Sequence, residues 1–156
     1  MESLFISSPI GNLKVSSQNG KIAKVSFCNN YESNQTKDEN LTLCSDEFLT
    51  YFSGSTTIFN AKFDIGGSKF EKLVLNEIVK IPFGQTMTYS QIATLINKPK
   101  AVRAVANAVA KNKILLLIPC HRIVAKTSLG GYNAGIWRKI WLLRHEMKRL
   151  FELQAH

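Results

Sequence analysis

The chain of 156 residues is long enough for one or two small domains with a hydrophobic core. With 45% hydrophobic and 20% charged residues, and no apolar run near the roughly 20 residues that span a bilayer, the composition excludes a membrane-spanning protein and indicates a globular one. The net charge of +9 is uneven, since residues 1–65 sum to −2 and residues 66–156 to +11. So basic a half-chain favours a polyanionic partner, most commonly nucleic acid, over a merely solubilising surface.

The cysteines and histidines bear on the cellular compartment and on metals. Three cysteines without a C-x-x-C motif indicate free thiols in a reducing compartment, so a cytoplasmic protein is predicted. The N-terminal residues have no basic stretch ahead of an apolar core, and no signal peptide is expected. The histidines, at His121, His145 and His156, show no metal-ligand spacing, and no metal site is predicted.

Short alternating runs at the start of the chain predict a β-sheet. The runs cover residues 4–7, 13–16 and 22–27. Asn19-Gly20 stands between the second and third runs and is the strongest short signal for a hairpin turn. Three strands, two of them joined by this turn, are therefore predicted.

A polar stretch and a short helix are predicted next. Residues 29–40 are rich in turn-forming side chains and predict an exposed loop. A helix capped by Ser45 and closed by Gly54 is expected after it. Residues 57–67 then predict a further strand that ends at two glycines, where the domain boundary is placed.

The second half of the chain is predicted to be mainly helical. Ser68 and Glu71 have the spacing of a capping box and begin a helix with an apolar face of Phe70, Leu73, Val74 and Ile78. Thr88 and Gln91 repeat the box and begin a helix of about two turns. A turn containing Pro99 leads into a third helix over residues 100–112. The second and third of these helices have the helix-turn-helix form, although such helix pairs also occur in purely structural roles.

The third helix has one face with a single cation among small side chains. Its core stripe is predicted as Val102, Val105 and Val109, and the other face carries Arg103, Ala106, Asn107 and Ala110. Small side chains let a helix backbone approach a DNA groove, and one long cation can reach inward. The high helix propensity of alanine is an equally simple explanation taken alone. Together with the basic half-chain, the pattern favours DNA binding.

A long C-terminal helix completes the predicted elements. Its apolar residues recur at 4,3,4,3 spacing and are predicted to lie on the core: Ile136, Ile140, Leu143, Met147 and Leu150. The predicted fold class is α+β. A small N-terminal sheet domain with a helix, residues 1–66, precedes a mainly α-helical domain with a helix-turn-helix, residues 67–156.

The stretch IPCHRIV holds the candidate chemistry. Cys120, His121 and Arg122 follow an aliphatic run that has no need of a thiol, an imidazole and a guanidinium. A cysteine and a histidine are the usual parts of a nucleophile and its base. On an extended chain, however, adjacent side chains point to opposite faces, so direct contact within the pair is not expected. A buried structural cysteine is the alternative, and it is the interpretation adopted for Cys28 and Cys44.

Five segments together resemble the O6-alkylguanine-DNA alkyltransferases, also called methylated-DNA–protein-cysteine methyltransferases. They are SPIGNL, IPFGQTMTYSQIA, RAVANAVAKN, IPCHRIV and GGYNAGIWRKIWLLRHE, and they extend over most of the chain. The resemblance implies a ribonuclease-H-like N-terminal domain and a C-terminal DNA-binding and alkyl-transfer domain. It implies irreversible transfer of an alkyl group from O6 of guanine in DNA, or from O4 of thymine, to the protein's own cysteine, without a cofactor.

The resemblance also implies roles for individual residues near the reaction. Cys120 accepts the alkyl group, His121 activates it through a water molecule, and Glu146 orients His121. Tyr89 contacts DNA and donates a hydrogen bond to a base flipped out of the duplex. Asn112 holds the turn between the helix-turn-helix and the reactive segment.

DNA and base contacts are implied for further matched positions. Arg103 fills the gap that the flipped nucleotide leaves, and the protein, expected to be a monomer, docks in the minor groove of double-stranded DNA. Further DNA contacts are implied for Ala106, Asn107 and Arg122. The pocket is implied to be formed by Ile123, Tyr132, Asn133 and Ala134, and the methyl group of Ala134 departs from the family's usual glycine, which predicts a narrower range of alkyl groups.

Three other functions are compatible with parts of the pattern. A non-enzymatic alkyltransferase-like protein would bind damaged DNA and signal to other repair proteins, but such proteins replace the cysteine found here as Cys120. A cysteine hydrolase built on Cys120, His121 and Glu146 would not need a basic helix-turn-helix. A DNA-binding regulator would carry the same four residues, PCHR, only for structure.

Overall fold

A computed structural model describes residues 1–154, and the last two residues, among them His156, lie outside the described part. The chain forms two compact units. The first consists of residues 1–64 and 113–117, and the second of residues 65–112 and the chain from residue 118 onward. Within residues 1–154, no helix combines the length and the apolar character needed to cross a membrane.

An antiparallel sheet with the strand order β1–β2–β3 forms the base of the first unit. The strands are β1 (Glu2–Ser8), β2 (Gly11–Gln18) and β3 (Lys21–Cys28), which confirms the three predicted strands. Asn19 and Gly20 have φ angles of 53° and 77°, the left-handed backbone that a two-residue hairpin turn needs. The predicted hairpin is therefore confirmed.

One helix, α1 (Glu39–Phe52), packs on this sheet. It begins before the predicted cap at Ser45, because Asp38 caps it by accepting hydrogen bonds from the N–H groups of Asn40 and Leu41, each at 3.0 Å. Ser17 on β2 donates to the same carboxylate at 2.6 Å. Asp38 therefore both starts the helix and joins it to the sheet.

Residues 57–67 do not form the predicted strand. A single bridge links Phe63 to Ile22 of β3. The backbone N–H groups of Asn60 and Ala61 donate instead to the buried carboxylate of Glu47 on α1, both at 2.8 Å. Because a side chain satisfies these donors, residues 60 and 61 need no neighbouring strand.

Residues 113–117 complete the first unit, although they lie within the range assigned to the C-terminal domain. The N–H of Val25 on β3 donates to the carbonyl of Lys113 at 2.9 Å, and the N–H of Leu115 donates to the carbonyl of Val25 at 3.3 Å. Leu116 is buried with φ of 71°, a left-handed backbone that costs a non-glycine residue about 1–2 kcal/mol. The chain re-enters the second unit directly before Pro119 and the reactive segment.

The second unit contains helices and a short parallel sheet. The strands β4 (Met87–Thr88) and β5 (Ile123–Val124) pair in parallel. This pairing brings the start of the helix that follows β4 beside the segment after Cys120. α3 and α4 pack on each other, and both contact α2. The helices are α2 (Lys69–Val79), α3 (Tyr89–Leu95), α4 (Val102–Ala110) and α5 (Ile136–Gln154).

The starts predicted for α2 and α3 are confirmed, whereas α4 begins at Val102, two residues later than predicted. The hydroxyl of Ser68 accepts from the N–H of Glu71 at 3.1 Å and caps α2. Thr88 and Gln91 form a complete capping box, with hydrogen bonds of 3.1 and 2.8 Å in opposite directions. Local chemistry therefore fixes where α2 and α3 begin.

The buried faces of α2 and α4 differ in part from the predicted stripes. On α2, Leu75 is buried and Leu73 is 41% exposed. On α4, Ala108 lies in the core with Val105 and Val109, whereas Val102 is 36% exposed. Val102 is the first residue of its helix, and the buried face begins only at Val105, one turn further on.

Candidate active site

The buried face of α5 carries charged groups in place of the predicted apolar stripe. Lys139, Leu142 and Glu146 are fully buried at a spacing of 3 and 4. Ile136 and Met147, which belong to the predicted stripe, are 44% and 66% exposed. Burying an ammonium and a carboxylate is costly unless polar groups surround them. These two charges therefore mark a built polar site that a count of apolar residues overlooks.

Cys120, His121 and Arg122 form a single 3₁₀ turn that leads into β5. The N–H of Arg122 donates to the carbonyl of Pro119 at 2.9 Å, and all three side chains are buried. The expectation of an extended chain at this point is wrong. With three residues per turn, successive side chains still diverge by about 120°, so Cys120 and His121 point in different directions.

The carboxylate of Glu146 is the centre of a buried hydrogen-bond network. Nε2 of His121 lies 2.7 Å from Oε2, and Arg122 donates from Nε to Oε1 at 2.8 Å and from Nη2 to Oε2 at 3.0 Å. The N–H of Gly84 donates to Oε1 at 3.2 Å. Nη1 of Arg122 donates to the carbonyl of Ile81 at 2.8 Å. The network joins the reactive turn, α5 and the segment that follows α2.

Burial, together with the ion pair between Arg122 and Glu146, determines the protonation state of His121. Burial alone would raise the pKa of the Glu146 carboxyl, but His121 and Arg122 outweigh it and hold that pKa well below its usual range. Burial lowers the pKa of His121 in spite of the nearby carboxylate, so the ring is neutral at neutral pH. Because a carboxylate only accepts hydrogen bonds, Nε2 carries the ring proton. Nδ1, buried and without a partner among residues 1–154, is then able to accept a proton.

The sulfur of Cys120 is held as a thiol. The residue is 5% exposed, and burial raises the pKa of its thiol to about 11, while a hydrogen bond from Asn112 and the charge of Lys139 act in the opposite direction. The Asn112 amide also donates to the carbonyl of Ile118 at 2.9 Å, two residues before the cysteine. Since the thiolate is the nucleophilic form, chemistry at this sulfur requires a base.

Lys139 is a site residue that the sequence patterns did not indicate. Its ammonium donates to the carbonyl of Ile123 at 2.5 Å and to the carbonyl of Gly131 at 2.9 Å. The only signal in the sequence is its 3,4 spacing with Leu142 and Glu146. That signal becomes visible only once Glu146 is known to be buried.

Two tyrosines lie at the predicted pocket. The hydroxyl of Tyr132 is buried and without a partner among the described residues. Burial, and after it the negative charge of Cys120, raises the pKa of this phenol, so the two groups are close enough to interact. Gly130 has φ of +73°, and a Cβ added there would lie 2.9 Å from Oη of Tyr89. The loop before Tyr132 therefore packs directly on Tyr89.

The other predicted pocket residues surround the same segment. Ile123 is buried and follows the reactive turn. Asn133 is exposed, and its amide donates to the carbonyl of Ala110 at the end of α4. Ala134 is half-buried, and its carbonyl accepts from Nη1 of Arg138 at 2.8 Å.

The predicted DNA-binding residues separate into two groups. Arg103 and Asn107 are exposed on α4, with Ala106 half-buried on the same helix. Arg122 is only 6% exposed, and each of its guanidinium nitrogens donates to Glu146 or to Ile81. The assignment of Arg122 to DNA contact therefore does not fit the structure, and its role is to fix Glu146.

Comparison with known families identifies both parts of the chain. Residues 3–65 match the ribonuclease-like domain of 6-O-methylguanine DNA methyltransferase, and residues 69–148 match the DNA-binding domain of the same protein.

Individual relatives agree with these matches. The chain is 48% identical over 99 residues to a probable methylated-DNA–protein-cysteine methyltransferase of Acanthamoeba polyphaga mimivirus, which covers 63% of this chain and 66% of that protein. It is 39% identical to the methylated-DNA–protein-cysteine methyltransferase of Sulfolobus acidocaldarius, over 89% of this chain and 88% of that protein. A crystal structure of Mycobacterium tuberculosis OGT in complex with DNA superposes with a TM-score of 0.86 at 32% identity, covering 96% of this chain and 94% of that one.

The family models span almost the whole chain, and the likeness extends from sequence to fold. The resemblance inferred from the sequence motifs is thus confirmed, and the chain belongs to the 6-O-methylguanine DNA methyltransferase family.

Proposed function

We propose that the protein repairs DNA by moving an alkyl group from O6 of guanine, or from O4 of thymine, onto the sulfur of Cys120. The observation that carries this proposal is the buried thiol beside a neutral imidazole whose Nε2–H is held by an ionised Glu146. The relatives named as methylated-DNA–protein-cysteine methyltransferases support the same reaction.

The reaction begins with removal of the thiol proton. His121 accepts it at Nδ1, through a water molecule because the two side chains diverge, and Glu146 stabilises the imidazolium that forms. The thiolate attacks the alkyl carbon, an S–C bond forms, the C–O6 bond breaks and its electron pair moves to the guanine. The guanine anion gains a proton at N1 and His121 gives up the one that it accepted, so the thiol hydrogen is exchanged for the alkyl group. Tyr89 donates a hydrogen bond that helps to neutralise the departing base.

Each protein molecule reacts once. The product at Cys120 is a thioether, which is a poor leaving group, so the cysteine is consumed. Asn112 holds the turn before the reactive segment, and Ile123, Tyr132, Asn133 and Ala134 enclose the base.

The substrate is double-stranded DNA with the damaged nucleotide flipped out. Guanine O6 lies inside the duplex and the thiol of Cys120 is buried, so the base must leave the stack to react. Arg103, exposed on α4, fills the gap that the flipped nucleotide leaves. Ala106 and Asn107 allow the helix to approach the minor groove, and the protein binds as a monomer. The DNA complex of the Mycobacterium tuberculosis relative supports DNA as the partner. Phosphate contacts from the basic half-chain give affinity without sequence preference.

A single experiment tests this function. The protein is incubated with a duplex that contains O6-methylguanine, and its peptides are then mapped by mass spectrometry. One methyl group on the peptide with Cys120, together with restored guanine, is expected, and Cys28 and Cys44 serve as internal controls. Methyl on either control cysteine, or repeated turnover, would contradict the mechanism. Tight binding without transfer would instead identify an alkyltransferase-like damage sensor.

The cytoplasmic location stays a prediction from cysteine usage.

A further inference from the structure

Lys139 is buried without an acidic partner. The residue is 0% exposed, and within residues 1–154 no carboxylate lies within salt-bridge distance of its ammonium. Its two hydrogen bonds go to backbone carbonyls, those of Ile123 and Gly131. A buried lysine that lacks a counter-ion costs stability, and a leucine or methionine would fill the same space without that cost. Stability therefore does not explain why a lysine occupies this position.

The two carbonyls stand at the two ends of the loop that borders the reactive thiol. Ile123 lies three residues after Cys120, and Gly131 lies directly before Tyr132. The ammonium joins them across the intervening residues, 124–130. Within this loop Gly130 packs against the hydroxyl of Tyr89. The Lys139 side chain thus fixes the loop backbone that lies near Cys120, Tyr132 and Tyr89.

Lys139 also interacts electrostatically with the thiol. Its charge lowers the pKa of Cys120, and a thiolate at Cys120 raises the pKa of Lys139. Burial, the larger effect, lowers the pKa of Lys139 to about 8, so the ammonium is mostly protonated at neutral pH. The other titratable groups near it are His121, whose pKa the Lys139 charge lowers, Glu146 on the same face of α5, and Tyr132, which follows Gly131.

We propose that Lys139 is a positioning residue for alkyl transfer, whose ammonium holds the loop 124–130 closed and keeps a positive charge beside Cys120 while its sulfur becomes anionic. This inference rests on the proposed function. The ammonium remains in place throughout the reaction and exchanges no proton with the substrate. It acts through the loop backbone and through the charge on sulfur.

Lys139→Met tests the proposal, because methionine replaces the apolar stem of the lysine and removes the charge and the donors. The matched control is Lys148→Met, an exposed lysine on the same helix. Two rates are measured between about pH 6 and about pH 10: methyl transfer from a damaged duplex in a single turnover, and alkylation of Cys120 by iodoacetamide without DNA.

The expected result is a thiol pKa higher than in the wild type. A rise of about one unit would lower the thiolate population, and with it both rates at neutral pH, about tenfold. The loss should shrink above about pH 8, where Lys139 of the wild type loses its own charge. Lys139→Arg should retain the thiol pKa, and Lys148→Met should match the wild type. An iodoacetamide profile of Lys139→Met that coincides with the wild-type profile would overturn the proposal. That readout involves no DNA, so it is distinct from a failure of the wild type to transfer methyl, which would overturn the proposed function.

A measurement on the wild-type protein covers the case in which Lys139→Met does not fold. The ε-carbon of Lys139, observed by NMR in protein with labelled lysine, should titrate near pH 8 in the free protein. Titration near the ordinary value for lysine, about 10.4, would contradict a buried ammonium without a counter-ion, on which the proposal rests.

Discussion

Arg122 and Glu146 form a buried, bidentate ion pair in which Nε and Nη2 of the guanidinium donate to the two carboxylate oxygens at 2.8 and 3.0 Å. The arginine is always charged, so the carboxylate has a permanent counter-ion. The neutral ring of His121 can then donate its Nε2–H to this carboxylate without having to take up a second proton. The arginine of the PCHR motif therefore acts with burial to keep the preceding histidine neutral.

The first prediction concerns the stability of this ion pair. Glu146→Gln leaves the buried guanidinium without its counter-ion and should lower the free energy of unfolding by about 3–5 kcal/mol. Arg122→Met combined with Glu146→Gln should cost less than the two single changes together, because neither charge is then left alone. Urea denaturation measures both effects. Glu152→Gln, which breaks an exposed pair with Arg149 at 3.7 Å, is the control and should change stability by less than about 1 kcal/mol.

The second prediction concerns acid. The pKa of His121 is lowered by burial, so below its ordinary value of about 6.5 the unfolded chain binds a proton that the folded chain does not. Stability is therefore full above that pH and decreases as pH falls. The lowered pKa of Glu146 adds a second loss below about pH 4.3.

Thermal denaturation of His121→Gln checks the sign of this effect. In this variant the decrease in stability that His121 causes should be absent, and the decrease at lower pH that Glu146 causes should remain. His145→Gln, at the neighbouring histidine that stacks on Trp141 with ring centroids 4.7 Å apart, should keep both parts. A decrease that is the same in all three proteins would contradict the buried neutral state of His121.

The third prediction separates chemistry from binding. His121→Gln should slow methyl transfer by about 10²–10⁴-fold, the usual contribution of a general base. Affinity for undamaged duplex should not change, because His121 is 1% exposed and cannot contact DNA. Single-turnover kinetics and fluorescence anisotropy give the two quantities, and a parallel loss of affinity would argue against a purely chemical role.

The fourth prediction uses two adjacent glycines with opposite environments. Gly130→Ala places a methyl group 2.9 Å from the hydroxyl of Tyr89 on a backbone with φ of +73°. The left-handed backbone alone costs about 1–2 kcal/mol, and the loop or the tyrosine must move, so transfer should slow. Gly131→Ala meets no atom within 4 Å and keeps the carbonyl that Lys139 binds, so it should behave as the wild type. Equal effects of the two changes would show that packing on Tyr89 is unimportant.

The fifth prediction concerns base flipping. Arg103→Ala should reduce repair in duplex DNA far more than transfer from the free base O6-methylguanine, because only a duplex has a gap to fill. The two reactions are compared by single-turnover rates. Similar losses with both substrates would remove the stacking role of Arg103.

Features determined by neighbours a few residues apart could be predicted from the sequence. The Asn19-Gly20 hairpin and the Thr88–Gln91 box depend on side chains beside the backbone they bend or cap, and both are as expected. Strand positions followed from the alternation of apolar residues, because one face of the sheet must be buried.

Features that depend on distant partners could not be predicted in this way. The buried face of α5 is decided by the polar groups that surround Lys139 and Glu146, and these come from other parts of the chain. Arg122 was expected to contact DNA from the resemblance alone, and it pairs instead with Glu146, 24 residues further along the chain. The cap at Asp38 is itself local, since its carboxylate accepts from the N–H groups of Asn40 and Leu41, and Ser17 on β2 adds a long-range hydrogen bond to it. The errors at α5 and at Arg122 arose where a long-range contact outweighed a local preference.

The contact between Val25 and residues 113–117 has a consequence for synthesis on the ribosome. β3 emerges early, but the segment that pairs with it is translated only after α2, α3 and α4. The first unit therefore has an unpaired backbone edge while most of the second unit is being made, a pairing with high contact order that folds slowly. The residues that close this edge are followed almost at once by the reactive cysteine. The nascent first unit can thus be completed only when the segment that carries the thiol is itself leaving the ribosome.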